Sequence, residues 1–104
     1  MSTGTFELIY NNVKKIPKGF VATYGQIALY SGNARWSQVV GFALHSNPDP
    51  ENIPCHRVVN RFGEVAEAFK FGGANIQREL LENEGVVFLA NGRVDMEKCL
   101  WIGE

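Results

Sequence analysis

The sequence predicts a mainly α domain with short strands, and three observations lead there. Apolar residues recur at helical spacing in several separate segments. The β-branched runs "IPCHRVV" and "VVFL" are too brief for more than small strands. Asn91-Gly92 is a strong hairpin turn signal near the C-terminal end. The 104 residues fit one domain over 1–104, and 45% hydrophobic against 20% charged content supports a packed core.

The first helix is expected from Thr5 to Lys15, with Phe6, Ile9, Tyr10, Val13 and Ile16 at helical spacing and Thr5 as its cap. "IPKG" ends it, because Pro17 lacks an N–H and Gly19 loosens the chain. Thr23 is a good N-cap for a second helix, and Gln26 three residues on completes a capping box. Ile27, Ala28 and Tyr30 give that helix a packing face, and Gly32 closes it. A third helix is expected from Ala34 to His45, with Val39, Val40, Ala43 and Leu44 inward. Two short helices joined by a tight turn over about 23–45 form a helix-turn-helix pattern, which many non-binding helical hairpins share.

Asn47-Pro48-Asp49-Pro50 makes a rigid stop. "IPCHRVV" reads as a strand, and "NRFGEV" turns back as a hairpin. "FKFGGAN" reads as loop. A fourth helix is expected from Asn75 to Asn83, with Ile76, Leu80 and Leu81 inward and Gly85 at its end. "VVFLANGRVDM" reads as a hairpin about Asn91-Gly92.

Composition excludes several function classes. No run approaches the length of a membrane span, and the N-terminus lacks the pattern of a signal peptide. Cys55 and Cys99 form no CxxC and have no companions to complete a zinc set, so no metal and no cofactor is expected. Free thiols point to a cytoplasmic protein. Residues 1–61 carry six Lys and Arg against three Asp and Glu, whereas residues 62–104 carry four against eight. That asymmetry is compatible with a basic nucleic-acid face and equally with surface scatter.

The candidate chemistry centres on "NPDPENIPCHRVVN". Cys55 could be a small core hydrophobe, a metal ligand, half of a disulfide or a nucleophile. It is useful as a nucleophile only as thiolate, and His56 and Arg57 are nearby groups able to favour that form. Adjacent strand side chains point to opposite faces, so His56 needs a turn after Pro54, or a bridging water, to act on Cys55.

"NPDPENIPCHRVVN" resembles the active-site motif of the O6-alkylguanine-DNA alkyltransferases. The likeness extends from "IPKGFVATYGQIA" through "VVGFALHSNP" to "RELLENEGV". It implies a winged-helix-like helix-turn-helix domain of that family's C-terminal type, with an active-site turn over 47–59 and a C-terminal extension over 86–104. The implied partner is double-stranded DNA containing O6-alkylguanine, and the implied reaction is a single irreversible alkyl transfer. The resemblance assigns Cys55 as alkyl acceptor, His56 as base acting through a water, and Glu84 as the acid that orients it. Asn47 corresponds to the residue that pins the turn, and Tyr24 to the tyrosine that assists base rotation and protonates the leaving guanine. The third helix becomes the recognition helix in the minor groove, with Arg35, Trp36, Ser37, Gln38 and Gly41 facing DNA beside Arg57. A monomer is expected, since action on one base needs one copy.

The chain also departs from the family pattern. The family inserts an arginine from the recognition helix into the vacated base stack, and nine residues before Asn47 this chain has Gln38. Arg35 is expected one turn earlier on roughly the same helix face. Trp36 and Ser37 stand where the family has small residues. The base-holding loop reads Lys70-Phe71-Gly72-Gly73, which keeps the glycines and lacks the hydroxyls. "GVVFLANGRVDMEKCLW" is similar to the tail of alkyltransferase-like proteins, which bind the lesion without repairing it and flag it for nucleotide excision repair. That is the alternative expectation.

Overall fold

The computed structural model describes residues 4–66 and 72–103. Its elements run α1 (Thr5–Val13), β1 (Ala22–Thr23), α2 (Tyr24–Tyr30), α3 (Ser37–His45), a single 3-10 turn (Cys55–Arg57), β2 (Val58–Val59), α4 (Gly73–Asn83) and α5 (Met96–Cys99). The chain is mainly helical with one short strand pair, as the sequence predicts.

The two strands organise everything else. β1 and β2 are parallel, with Ala22 opposite Val58 and Thr23 opposite Val59. Parallel pairing needs a long crossover, and here α2, α3 and the Cys55 turn supply it. Successive strand residues point to opposite faces. Ala22 and Val58 therefore enter one core with Ile9, Val13, Ile27, Val40 and Ala43. Val21 and Val59 enter a second, with Leu81, Val86, Val94 and Cys99. The Cys55 turn leads directly into this pair, so its backbone is fixed between two packed layers.

α1, α2 and α3 pack on one another over the first core. The Thr23 capping box forms as expected: Gln26 N–H donates to Thr23 Oγ1 at 3.1 Å, and Thr23 N–H donates to Gln26 Oε1 at 2.8 Å. Gln26 Nε2 also donates to the Trp101 carbonyl at 2.6 Å, which ties the C-terminal segment to α2. That segment reaches β1 as well, through a parallel bridge between Val21 and Leu100.

Several elements differ from the sequence expectation. α1 stops at Val13, two residues short of Lys15, and Gly4 stands at its cap with no side-chain bond, so Thr5 does not cap. α3 starts at Ser37, so Ala34, Arg35 and Trp36 lie in the turn before it. "IPCHRVV" is not one strand. Pro54 brings the chain into the 3-10 turn, and only Val58 and Val59 are extended. "NRFGEV" does not return as a hairpin, because β2 takes its partner from β1; Asn60 instead closes a local loop through its side chain.

In α4 the inward face is also different. Leu81 is buried as expected, but Ile76 and Leu80 are 39% and 37% exposed while Gln77 is 1% exposed. The turn about Asn91-Gly92 does form, with an antiparallel bridge between Phe88 and Val94. α5 follows it, capped by the Asp95 side chain, and was not expected. Lys70 and Phe71 lie outside the described residues.

Candidate functional site

The site is built around the turn from Asn47 to Val59. Asn47 is 4% exposed and spans the start of it. Its Nδ2 donates to the Ile53 carbonyl at 2.9 Å, and its Oδ1 accepts from Asp49 N–H at 2.8 Å. Two prolines restrict the intervening chain, so these bonds hold a loop with little freedom left. Cys55 N–H donates to the Ile53 carbonyl at 2.7 Å, and Arg57 N–H to the Pro54 carbonyl at 3.0 Å. The resulting 3-10 turn puts Cys55 at the edge of the first core, 5% exposed.

A 3-10 turn rotates successive side chains by about a third of a revolution. His56 and Arg57 therefore leave the Cys55 side and meet Glu84, at the C-terminal end of α4. His56 Nε2 lies 3.0 Å from Glu84 Oε2, an ion-pair distance but off the line of a well-directed hydrogen bond. The carboxylate is already forked by Arg57, whose Nε donates to Oε1 at 2.9 Å and Nη2 to Oε2 at 2.6 Å. Arg57 Nη1 donates to the Ile16 carbonyl at 2.8 Å. One carboxylate thus serves two cations or potential cations, and through Arg57 it ties α4, the turn and the segment after α1 together.

The electrostatics follow from that geometry. Burial alone would raise the Glu84 pKa, but the hydrogen bonds from Arg57 and then the close His56 ring outweigh it, and the carboxyl is held below its usual range. Glu84 is therefore ionised at neutral pH and presents its charge to the neighbouring His56 ring. Gly85, with φ of 94°, lets the chain reverse directly after Glu84, a backbone conformation that L side chains rarely adopt.

Sequence reasoning missed Gln77. Its Nε2 donates to the carbonyls of His56 at 3.0 Å and Val58 at 3.1 Å, and its Oε1 accepts from Ala66 N–H at 2.8 Å. The signal was available: Gln77, Leu81 and Glu84 share one helical face at spacings of four and three. Placing Glu84 at the site places Gln77 there too. Tyr10 was read only as a core residue; its hydroxyl donates to the Ala43 carbonyl at 2.7 Å. Burial, and then negative charge at Cys55, raises the pKa of both Tyr10 and Tyr24, so both phenols stay protonated.

On the outer side, Tyr24, Ser37, Gln38, Gly41 and Phe42 line an open groove of about 430 Å³ between α2 and α3. It holds Tyr24 and three of the residues expected to face DNA. Gly41 has open space beside it: a Cβ there would meet nothing within 4 Å. The remaining expected residues sit elsewhere. Arg35 is exposed in the turn before α3, its backbone N–H bonded to Asn33 Oδ1 at 2.9 Å. Trp36 is half-buried against the first core and so does not project as a wedge. Arg57, grouped with the DNA-facing residues in the sequence, is turned inward onto Glu84 and is 16% exposed. Among the described residues no three His, Cys, Asp or Glu side chains group as a metal site.

Residues 5–86 match the family model for the DNA-binding domain of 6-O-methylguanine DNA methyltransferase. The chain belongs to that family. Its relatives fall into more than one kind. It is 35% identical over 95 residues to a DNA base-flipping protein of Escherichia coli, covering 89% of this chain and 70% of that one. It is 34% identical over 82 residues to the methylated-DNA–protein-cysteine methyltransferase of Rattus norvegicus, covering 79% of this chain and 39% of the rat protein. In structure it is similar to Schizosaccharomyces pombe Atl1 in complex with damaged DNA containing O6-carboxymethylguanine, with a TM-score of 0.78, 32% identity, and 97% and 98% of the two chains covered. It is also similar to the Mycobacterium tuberculosis family member OGT in complex with DNA, with a TM-score of 0.73, 33% identity, and 82% and 52% covered.

Proposed function

We propose that this family member binds duplex DNA carrying O6-alkylguanine, takes the damaged base out of the stack and accepts the alkyl group on Cys55. The observation that carries the reading is the His56–Glu84 pair next to buried Cys55 in the 3-10 turn, with Glu84 ionised and clamped by Arg57. A base oriented by a third group beside a nucleophile is the general design of an activated thiol.

The reaction balances without a cofactor. His56 takes the Cys55 proton through a water, and Glu84 stabilises the imidazolium that forms. The thiolate sulfur forms a bond to the alkyl carbon as the bond from that carbon to O6 breaks. The electron pair leaves with guanine, which takes a proton from the Tyr24 hydroxyl, and Tyr24 recovers one through solvent as the His56 imidazolium releases its own. The thioether product is stable, so each molecule acts once. Extruding the base costs a few kcal/mol, offset by contacts made in the groove. A cytoplasmic monomer acting alone fits this chemistry.

A second reading, lesion binding without transfer that recruits nucleotide excision repair, is favoured by the near end-to-end likeness to Atl1. Digesting lesion duplex to nucleosides after incubation separates the two. Conversion of O6-methylguanine to guanine in proportion to protein supports transfer. Intact O6-methylguanine in a tight complex excludes it and supports the second reading.

A further inference from the structure

Gln38 carries no charge, and Arg35 stands off α3 in the preceding turn. The groove itself contains another candidate for contact with the base stack. Phe42 follows Gln38 by one helical turn and is 58% exposed, although it is one of the larger apolar side chains of the molecule. It lines the same groove as Tyr24, Gln38 and Gly41. Residues four apart on a helix lie side by side, so Phe42 and Gln38 present a ring and an amide together.

We propose that Phe42 is the stacking wedge of this chain, entering the base stack where the damaged guanine leaves it. The inference rests on the base-extrusion reading above and assigns within it the residue that fills the gap. A vacated position in a duplex is a flat slot between two π-faces. A planar phenyl ring fits such a slot, and apolar side chains entering from the minor groove are a general means of prising apart base steps. Stacking also recovers part of the unstacking cost without a charge on the ring. Gly41 beside it leaves open space, so the helix can approach closely enough for the ring to enter. Gln38, with a donor and an acceptor, then lies against the unpaired edge of the orphaned base.

The test uses duplexes with O6-methylguanine, with undamaged guanine, and with 2-aminopurine at the target position. The wild-type chain, Phe42→Ala, Phe42→Trp and Gln38→Ala are compared. Phe42 is exposed, so its replacement leaves the cores untouched. Phe42→Ala is expected to lose about tenfold or more in affinity for the lesion duplex, to lose the rise in 2-aminopurine fluorescence, and to keep its affinity for undamaged duplex. Phe42→Trp is expected to retain all three. Unchanged lesion affinity in Phe42→Ala, with loss in Gln38→Ala, would overturn the wedge. A uniform loss on damaged and undamaged duplexes would also overturn it, since that marks a contact with the groove wall. If the wild-type chain shows neither lesion preference nor a fluorescence rise, base extrusion fails and the wedge with it.

Discussion

Arg57 grips Glu84 with both arms of its guanidinium, at 2.9 Å and 2.6 Å, and this fork decides the charge state of the site. A bidentate pair of this kind is stronger than a single-point contact and fixes the carboxylate plane. Lysine, a point charge on a flexible stem, cannot reproduce it.

The first prediction concerns pH. The folded pKa of Glu84 lies below its ordinary value of 4.5. Its contribution to stability is then fully present above that ordinary value and is lost as pH falls through the lower folded one. Thermal melts of the wild-type chain should show this loss on acidification. Glu84→Gln should be less stable near neutral pH and should lack that component of the acid dependence. Equal acid sensitivity in both chains would remove Glu84 as the source.

Gln77→Leu gives the second prediction. The substitution suits the helix and the burial but leaves the His56 and Val58 carbonyls and the Ala66 N–H without this partner. Denaturant unfolding should show a loss of about 2–3 kcal/mol. A variant as stable as wild type would show that water satisfies those groups equally well.

How far the sequence reading reached is clearest at such positions. Helix existence followed from periodicity, and the capping box at Thr23 and Gln26 followed from residue type. β-branched composition makes all of "IPCHRVV" read as strand, but only Val58 and Val59 are extended, because the chain makes the turn after Pro54 first. The partner of Val58 and Val59 was also hidden, since parallel pairing with Ala22 and Thr23 is non-local and leaves no spacing signal. In α4, Ile76 and Leu80 mimic an inner face, and a buried glutamine is identified only by what it bonds. That His56 and Glu84 come together was legible through the family resemblance. That Arg57 belongs with Glu84 rather than at the surface required the fold.

The third prediction separates stability from binding. Gly41 lies within α3, and an added Cβ meets no neighbour within 4 Å. Gly41→Ala should therefore raise stability by about 0.5–1 kcal/mol, through helix propensity. The same methyl protrudes into the groove, so affinity for DNA should fall. Calorimetry and fluorescence anisotropy on the one variant read both effects. Raised stability with unchanged affinity would move the DNA-facing surface off this groove.

The central claim is that Cys55 is an alkyl acceptor, and peptide mass analysis after incubation with excess O6-methylguanine duplex tests it most directly. The peptide carrying Cys55 should gain the mass of one methylene, the peptide carrying Cys99 should not, and Cys55→Ser should abolish the gain. A Cys55 peptide of unchanged mass under saturating lesion duplex would contradict it.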